Sequence, residues 1–167
     1  IERGQSANVT IHTGILSPGE ASGVPIIQEL FAGVGQDGFE HLIIDCPPGS
    51  SCIVMESIRD ADFCLLVAEP TIFGLHNLKM VYELVRLFEK PFTVLINKAS
   101  PGVTLIAQFC DQEGIEVIGE IPFDHDIGRI NSSGEILAHQ NELYRDVFKG
   151  ILNRIEEVGG YEATPNS

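Results

Sequence analysis

Hydrophobic and polar positions fall into short blocks whose period switches repeatedly between two and three to four. Residues 7–16 place Val9, Ile11, Thr13 and Ile15 on alternate positions, which predicts a strand. A polar, glycine-rich connection over 17–23 leads to a short helix over 24–32, with Ile26, Ile27, Leu30 and Phe31 on one side. The segment 33–38 breaks that helix. Leu42, Ile43 and Ile44 then form a continuous apolar run, the pattern of a parallel strand buried on both faces. A helix over 50–60 and a strand over 62–68 follow. The most regular helical stripe lies over 71–88, where Leu75, Leu78, Val81, Tyr82, Val85 and Phe88 recur at three and four. Pro91 ends that region. A strand over 92–97, a helix over 103–113 stopped by Gly114, and a last strand over 116–121 come next. Residues 124–139 read as irregular or partly helical, with breaks at Gly128 and Gly134. Asn141 caps a final helix to 158, with Leu143, Val147, Phe148, Ile151, Leu152 and Ile155 facing inward.

Strands alternating with helices predict an α/β fold, a parallel β-sheet flanked by helices on both faces. One domain over 1–158 is expected, followed by a polar tail over 159–167. In a parallel sheet the strand ends after 44, 97 and 121 share one edge, where open α/β sheets place their ligands.

The first of those ends carries the sharpest chemistry. The stretch 39–49 reads F-E-H-L-I-I-D-C-P-P-G. Pro47 lacks an N–H and Pro48 restrains the residue before it, so the strand stops there. Asp45 is left at the carboxyl end, which is the form of a Walker B element. Such a carboxylate holds the water shell of a Mg²⁺, and the turn can present the Gly49 N–H to a terminal phosphate. The plainer alternative is an ordinary strand ending in a turn.

Composition narrows the partners. The 167 residues carry 24 acidic and 10 basic side chains, a net charge of −14. That balance opposes nucleic acid and anionic membrane surfaces, which need a basic face. Cys46, Cys52, Cys64 and Cys110 show no C-x-x-C spacing, so neither a disulfide framework nor a complete zinc site is expected. No apolar run reaches about 18 residues and no signal peptide is visible, so a cytoplasmic protein is expected.

Taken in order, D-C-P-P-G, the E-P-T turn with G-L-H-N-L, L-I-N-K and G-E-I-P-F-D resemble the MinD/ParA/Mrp class of P-loop ATPases, nearest the MinD-superfamily branch with an inserted ferredoxin domain. The resemblance runs from about residue 14 to 152. It implies a partial P-loop NTPase fold of the MinD-like (SIMIBI) kind and ATP with Mg²⁺ as cofactors. It also implies a homodimer in the full-length protein, an unidentified protein partner, and an iron–sulfur cluster on the ferredoxin insertion. By position, Asp45 resembles the Walker B ligand to the Mg²⁺ shell and Gly49 the switch II glycine. Asn97 resembles the residue that bonds the adenine, and Pro122, Phe123 and Asp124 the segment along the other side of the base. The deviant Walker A loop K-G-G-x-G-K-S/T is absent, and no Gly-Lys dipeptide occurs anywhere. The chain is therefore expected to be the C-terminal part of such a protein, inactive by itself.

Each assignment has a bland counterpart: a turn residue at Asn97, a helix N-cap at Asp124. Glu69 and His76 match the family pattern but read as a solvated first helical turn, and Glu56, Glu83 and Glu89 as solvated faces. Cys52 stands seven residues after Asp45. In the related nitrogenase iron protein a cysteine at a similar offset binds an interfacial cluster, so the resemblance makes Cys52 a candidate iron–sulfur ligand. The alternative is a small apolar residue at a helix start. Two other functions compete with the ATPase. One is a non-catalytic protein-interaction module that keeps the fold. The other is a flavodoxin-like or receiver-type domain, which would need an acidic pair before Asp45 that is not there.

Overall fold

Four consecutive buried residues, Thr93, Val94, Leu95 and Ile96, mark the centre of the parallel sheet. A strand apolar or satisfied on both faces must lie between strands on either edge and helices above and below. In the computed structural model, which describes residues 1–6, 9–17, 19, 22–34 and 39–160, that strand pairs in parallel with both neighbours. The chain divides into two units, one ending at Ala61 and the other beginning at Asp62.

The second unit holds the sheet β3 (Cys64–Ala68), β4 (Phe92–Ala99) and β5 (Val117–Pro122), in the order β3-β4-β5. The crossovers are α3 (Ile72–Leu87) and α4 (Leu105–Glu113). The expected α/β fold, a parallel sheet flanked by helices, is what forms. On one face Tyr82 of α3 meets Phe92 and Phe109 edge-on, each at 5.7 Å between centroids. On the other, Leu95, Ile121 and Tyr144 form a buried cluster with Ile118, Ile127, Leu137 and Ile151 against it. Thr93, fully buried, donates its hydroxyl to the Glu116 carbonyl at 2.8 Å, so its polar atom is satisfied where it is buried.

Local signals end the helices. Thr71 caps α3 by accepting from the Gly74 N–H at 2.9 Å. Glycine is needed at 74 because a Cβ there would overlap the Glu69 carbonyl. Gly114 ends α4 in the left-handed region at φ 68°, as its position predicts. The segment expected to be irregular contains α5 (His125–Ser132) and α6 (Leu137–Gln140). The Gly134 break forms; Gly128 lies inside α5. The last helix, α7 (Glu142–Gly159), starts at the expected Asn141 cap, whose side chain accepts from Leu143 N at 3.0 Å. Its buried face differs from the expected one. Tyr144 is its one fully buried residue, whereas Leu143, Phe148 and Leu152 are exposed. Tyr144 and Ile151 pack with the sheet residues Leu95 and Ile121, Val147 and Ile155 are half-buried, and a tyrosine whose hydroxyl finds a partner is as good a core residue as leucine. All of the expected polar tail beyond Gly160 lies outside the described residues.

The first unit corrects two expectations. The alternating strand forms as β2 (Val9–Thr13), but it pairs antiparallel with β1 (Glu2–Ser6) in a two-stranded hairpin and not in the parallel sheet. β1 has no apolar alternation to announce it. The second correction concerns Leu42–Ile44, which form no strand: Leu42 is 53% and Ile43 84% exposed. A doubly buried strand needs ladder partners at both edges, and the strands described in this unit pair only with each other. The helices α1 (Val24–Val34) and α2 (Cys52–Arg59) pack together here. Glu56, expected on a solvated face, is buried on α2. It accepts from Gln28 Nε2 at 2.9 Å and pairs with Arg59 at 2.7 Å. Burial of a carboxylate is tolerated because both partners reach it.

Candidate functional site

Two of the three expected strand ends come together. In the β4–β5 ladder Asn97 stands opposite Ile121 and Ala99 opposite Pro122, with a register shift between Asn97 and Ala99. Lys98 is the extra residue of that bulge and takes a left-handed φ of 56°, unusual for a side chain with a Cβ. The Asn97 side-chain oxygen accepts from the Lys98 N–H at 3.0 Å, which holds the bulge and leaves the Asn97 amide NH₂ to donate. Lys98 Nζ reaches across to Glu69 at 2.6 Å, tying the tip of β4 to the turn after β3. Glu69 is therefore an ion-pair partner at a strand end and not a solvated helix residue, although a pair this exposed adds little stability. His76 is exposed, as read.

Beyond β5 the chain stays attached to β4, with Phe123 N donating to Ala99 O at 2.9 Å. The Phe123 ring is 54% exposed and stands edge-on to His125 at 5.0 Å. Asp124 caps α5, accepting from Asp126 N at 2.8 Å through Oδ1 and from the Tyr144 hydroxyl at 2.9 Å through Oδ2. The hydrogen bond from the Asp126 backbone, then that from Tyr144, holds the Asp124 carboxyl below the usual aspartate range. Burial, then the bond to Asp124, pushes the Tyr144 phenol up. A cavity of about 330 Å³ opens beside this edge, lined by Ala99, Ser100, Pro101, Gly102, Val103, Thr104, Ala107, Glu120 and Pro122. It shares Pro122 with the expected site but not Asn97, Phe123 or Asp124. Lys98 belongs, with Asn97, to one of the three strand ends read from the sequence as carrying the candidate site. Glu120, Thr104 and Tyr144 escaped that reading and had no local signal.

Asp45, Gly49 and Cys52 belong to the first unit. Asp45 is exposed and has no hydrogen-bond or ion-pair partner among the described residues. Gly49 follows the two prolines at φ 95°, a conformation that itself requires glycine since nothing crowds its Cβ position. Cys46 is half-buried, and burial pushes its thiol up. Cys52 is exposed at the first residue of α2. Among the described residues no three His, Cys, Asp or Glu side chains form a metal-holding group, so a directly coordinated ion has no ready-made cage here. A free carboxylate does fit one outer contact to a hydrated Mg²⁺.

The fold is that of the MinD cell division protein of Aquifex aeolicus, with a TM-score of 0.64 over 86% of this chain and 63% of that one, at 17% identity. No protein-family model matches the sequence. Among curated proteins, the uncharacterized protein MJ0578 of Methanocaldococcus jannaschii is 24% identical over 86% of this chain and 50% of its own length. From the same organism, the uncharacterized protein MJ0579 is 27% identical over 71% of this chain and 38% of its own. The uncharacterized ATP-binding protein MJ0685, also from there, is 22% identical over 77% and 54%. The chain thus spans about half the length or less of these relatives. No helix among the described residues is long and apolar enough to cross a membrane.

Proposed function

We propose that this chain carries the adenine-recognising and switch II half of a MinD-like ATPase. The observation that carries the reading is the side-by-side placement of Asn97 and the Pro122–Phe123–Asp124 segment at the carboxyl edge of β4 and β5. Ligands of open parallel sheets lie at that edge. The MinD-like fold and the ATP-binding relative support a nucleotide as the ligand. The Asn97 amide would donate to the base, with Pro122 and Phe123 along its side. Asp45 would hold the water shell of the Mg²⁺, which when bound neutralises phosphate charge, and the Gly49 N–H would meet the terminal phosphate. The homodimer and the protein partner implied by the resemblance belong to the same reading.

Adenine is expected over guanine. Guanine-reading N-K-x-D turns accept from the base through an aspartate, and here the fourth residue is Ser100. Guanine donors left without a carboxylate cost about 1–3 kcal/mol, about 5- to 150-fold in affinity. Titrating the chain with adenosine and guanosine at millimolar concentration, read by NMR, should shift the Asn97 side-chain amide and the Phe123 and Asp124 amides, with adenosine the tighter ligand. Equal affinity, or responses confined elsewhere, would overturn the base assignment.

Coupling to iron–sulfur chemistry is the outer part of the proposal; it comes with the ferredoxin insertion that the resemblance implies, and Cys52 is a separate candidate ligand beside it. One thiolate per chain supplies two ligands in a dimer, so a four-iron cluster would need two more from another source. Anaerobic reconstitution of the longest natural form should then load iron that Cys52→Ser loses; identical iron content in both removes Cys52 from the proposal.

A further inference from the structure

The Pro122–Asp124 segment is fixed from behind. Asp124 accepts through one oxygen from the first turn of α5 and through the other from Tyr144, so both ends of its carboxylate are tied to the protein. Tyr144 is 5% exposed and packed with Leu95 and Ile121, the residues directly under the β4–β5 edge. Its hydroxyl has one partner among the described residues, Asp124, and its ring cannot move without disturbing that cluster. On the other flank, Phe123 N is bonded to Ala99 O. The backbone of 122–124 thus runs between two anchors.

From this arrangement we infer that Tyr144 is a positioning residue of the base site: through Asp124 it sets the path of residues 122–124, and Asp124 acts by holding that segment and not by touching the base. The inference rests on the adenine reading above. It turns α7 into part of the site, although α7 contributes nothing to the sheet edge itself. Any event that shifts the start of α7 would be read at the base through one hydrogen bond. The lowered carboxyl of Asp124 agrees, since both its bonds favour the ionised form. With the folded value below the unfolded one, this hold is present above the ordinary aspartate range and is lost as pH falls through the lowered value.

Tyr144→Phe tests it, because the ring stays and only the hydroxyl goes. In the 167-residue chain the Asp126 amide should exchange about tenfold faster, and adenosine should bind about five- to tenfold more weakly. The Asp124 carboxyl, followed by NMR, should titrate at higher pH than in wild type. A merely structural tyrosine would lower the melting temperature and leave adenosine saturation where it was, and that result overturns the inference. So does an unchanged Asp126 exchange rate. If Tyr144→Phe does not fold, Asp124→Asn, which keeps the cap and weakens the tyrosine contact, is read by adenosine saturation, expected to weaken in the same way. Absence of any saturable adenosine response at residues 122–124 in wild type sinks the adenine reading and the inference with it. A wild-type response that Tyr144→Phe leaves unchanged sinks the inference alone.

Discussion

Replacing Asp45 with asparagine is expected to lower ATP hydrolysis by about 10²–10³-fold in a longer natural form that carries a phosphate loop, a loss typical of removing one preorganised electrostatic contact. The fold should be untouched. Asp45 is exposed and has no hydrogen-bond or ion-pair partner among the described residues, so the substitution breaks no hydrogen bond or ion pair there. On the proposed reading, what would change is one formal charge beside a hydrated Mg²⁺, and with it the neutralisation of phosphate oxygens that carry charge in the transition state. Asparagine keeps the shape and one oxygen, so the effect isolates charge from size. Phosphate release under saturating Mg–ATP gives the rate, and thermal unfolding by circular dichroism reports the fold. A folded variant that hydrolyses at nearly the wild-type rate would exclude Asp45 from the mechanism.

The 167-residue chain by itself is expected to bind Mg–ATP no tighter than about 100 μM, roughly 5.5 kcal/mol. Most affinity for a nucleotide triphosphate comes from backbone N–H groups of a glycine-rich loop and its lysine, which meet the phosphates with matched charge. No Gly-Lys pair occurs in this sequence, and the net charge of −14 repels a triphosphate further. On the proposed reading, what the β4–β5 edge would offer is a base contact: an amide donor at Asn97 and apolar surface at Pro122 and Phe123. Adenosine and Mg–ATP should therefore differ by less than about tenfold, the phosphates adding little. Calorimetric titration measures both. Submicromolar Mg–ATP affinity would mean that phosphate contacts exist in this chain that its sequence does not reveal.

Much of this was legible in the sequence because it is set locally. The stripe over 71–88 is periodic enough to name the element and its buried side, and the short apolar blocks over 92–97 and 116–121 are enough to name strands. Thr71, Gly114 and Asn141 act through their own backbone neighbourhood, so their caps follow from residue type and place. Asn97 beside Pro122–Asp124 followed from parallel strands ending together. The conformation at Gly49 followed from two prolines and a glycine in series.

What only the tertiary structure decided depends on partners distant in the chain. Leu42–Ile44 has the composition of a buried strand, but a strand exists only where neighbours supply its ladder, and no composition can state that. Glu56 reads as a surface carboxylate until Gln28, on another helix, is seen to meet it. Lys98 joins Glu69 across 29 residues, and Tyr144 joins Asp124 across 20. Hydrogen bonds of this kind are made by geometry that packing supplies, through contacts that leave no periodicity behind. The chain's own pattern therefore determined the elements and the edge they share, while the packing of α7 against Leu95 and Ile121 decided how the last turn of that edge is held.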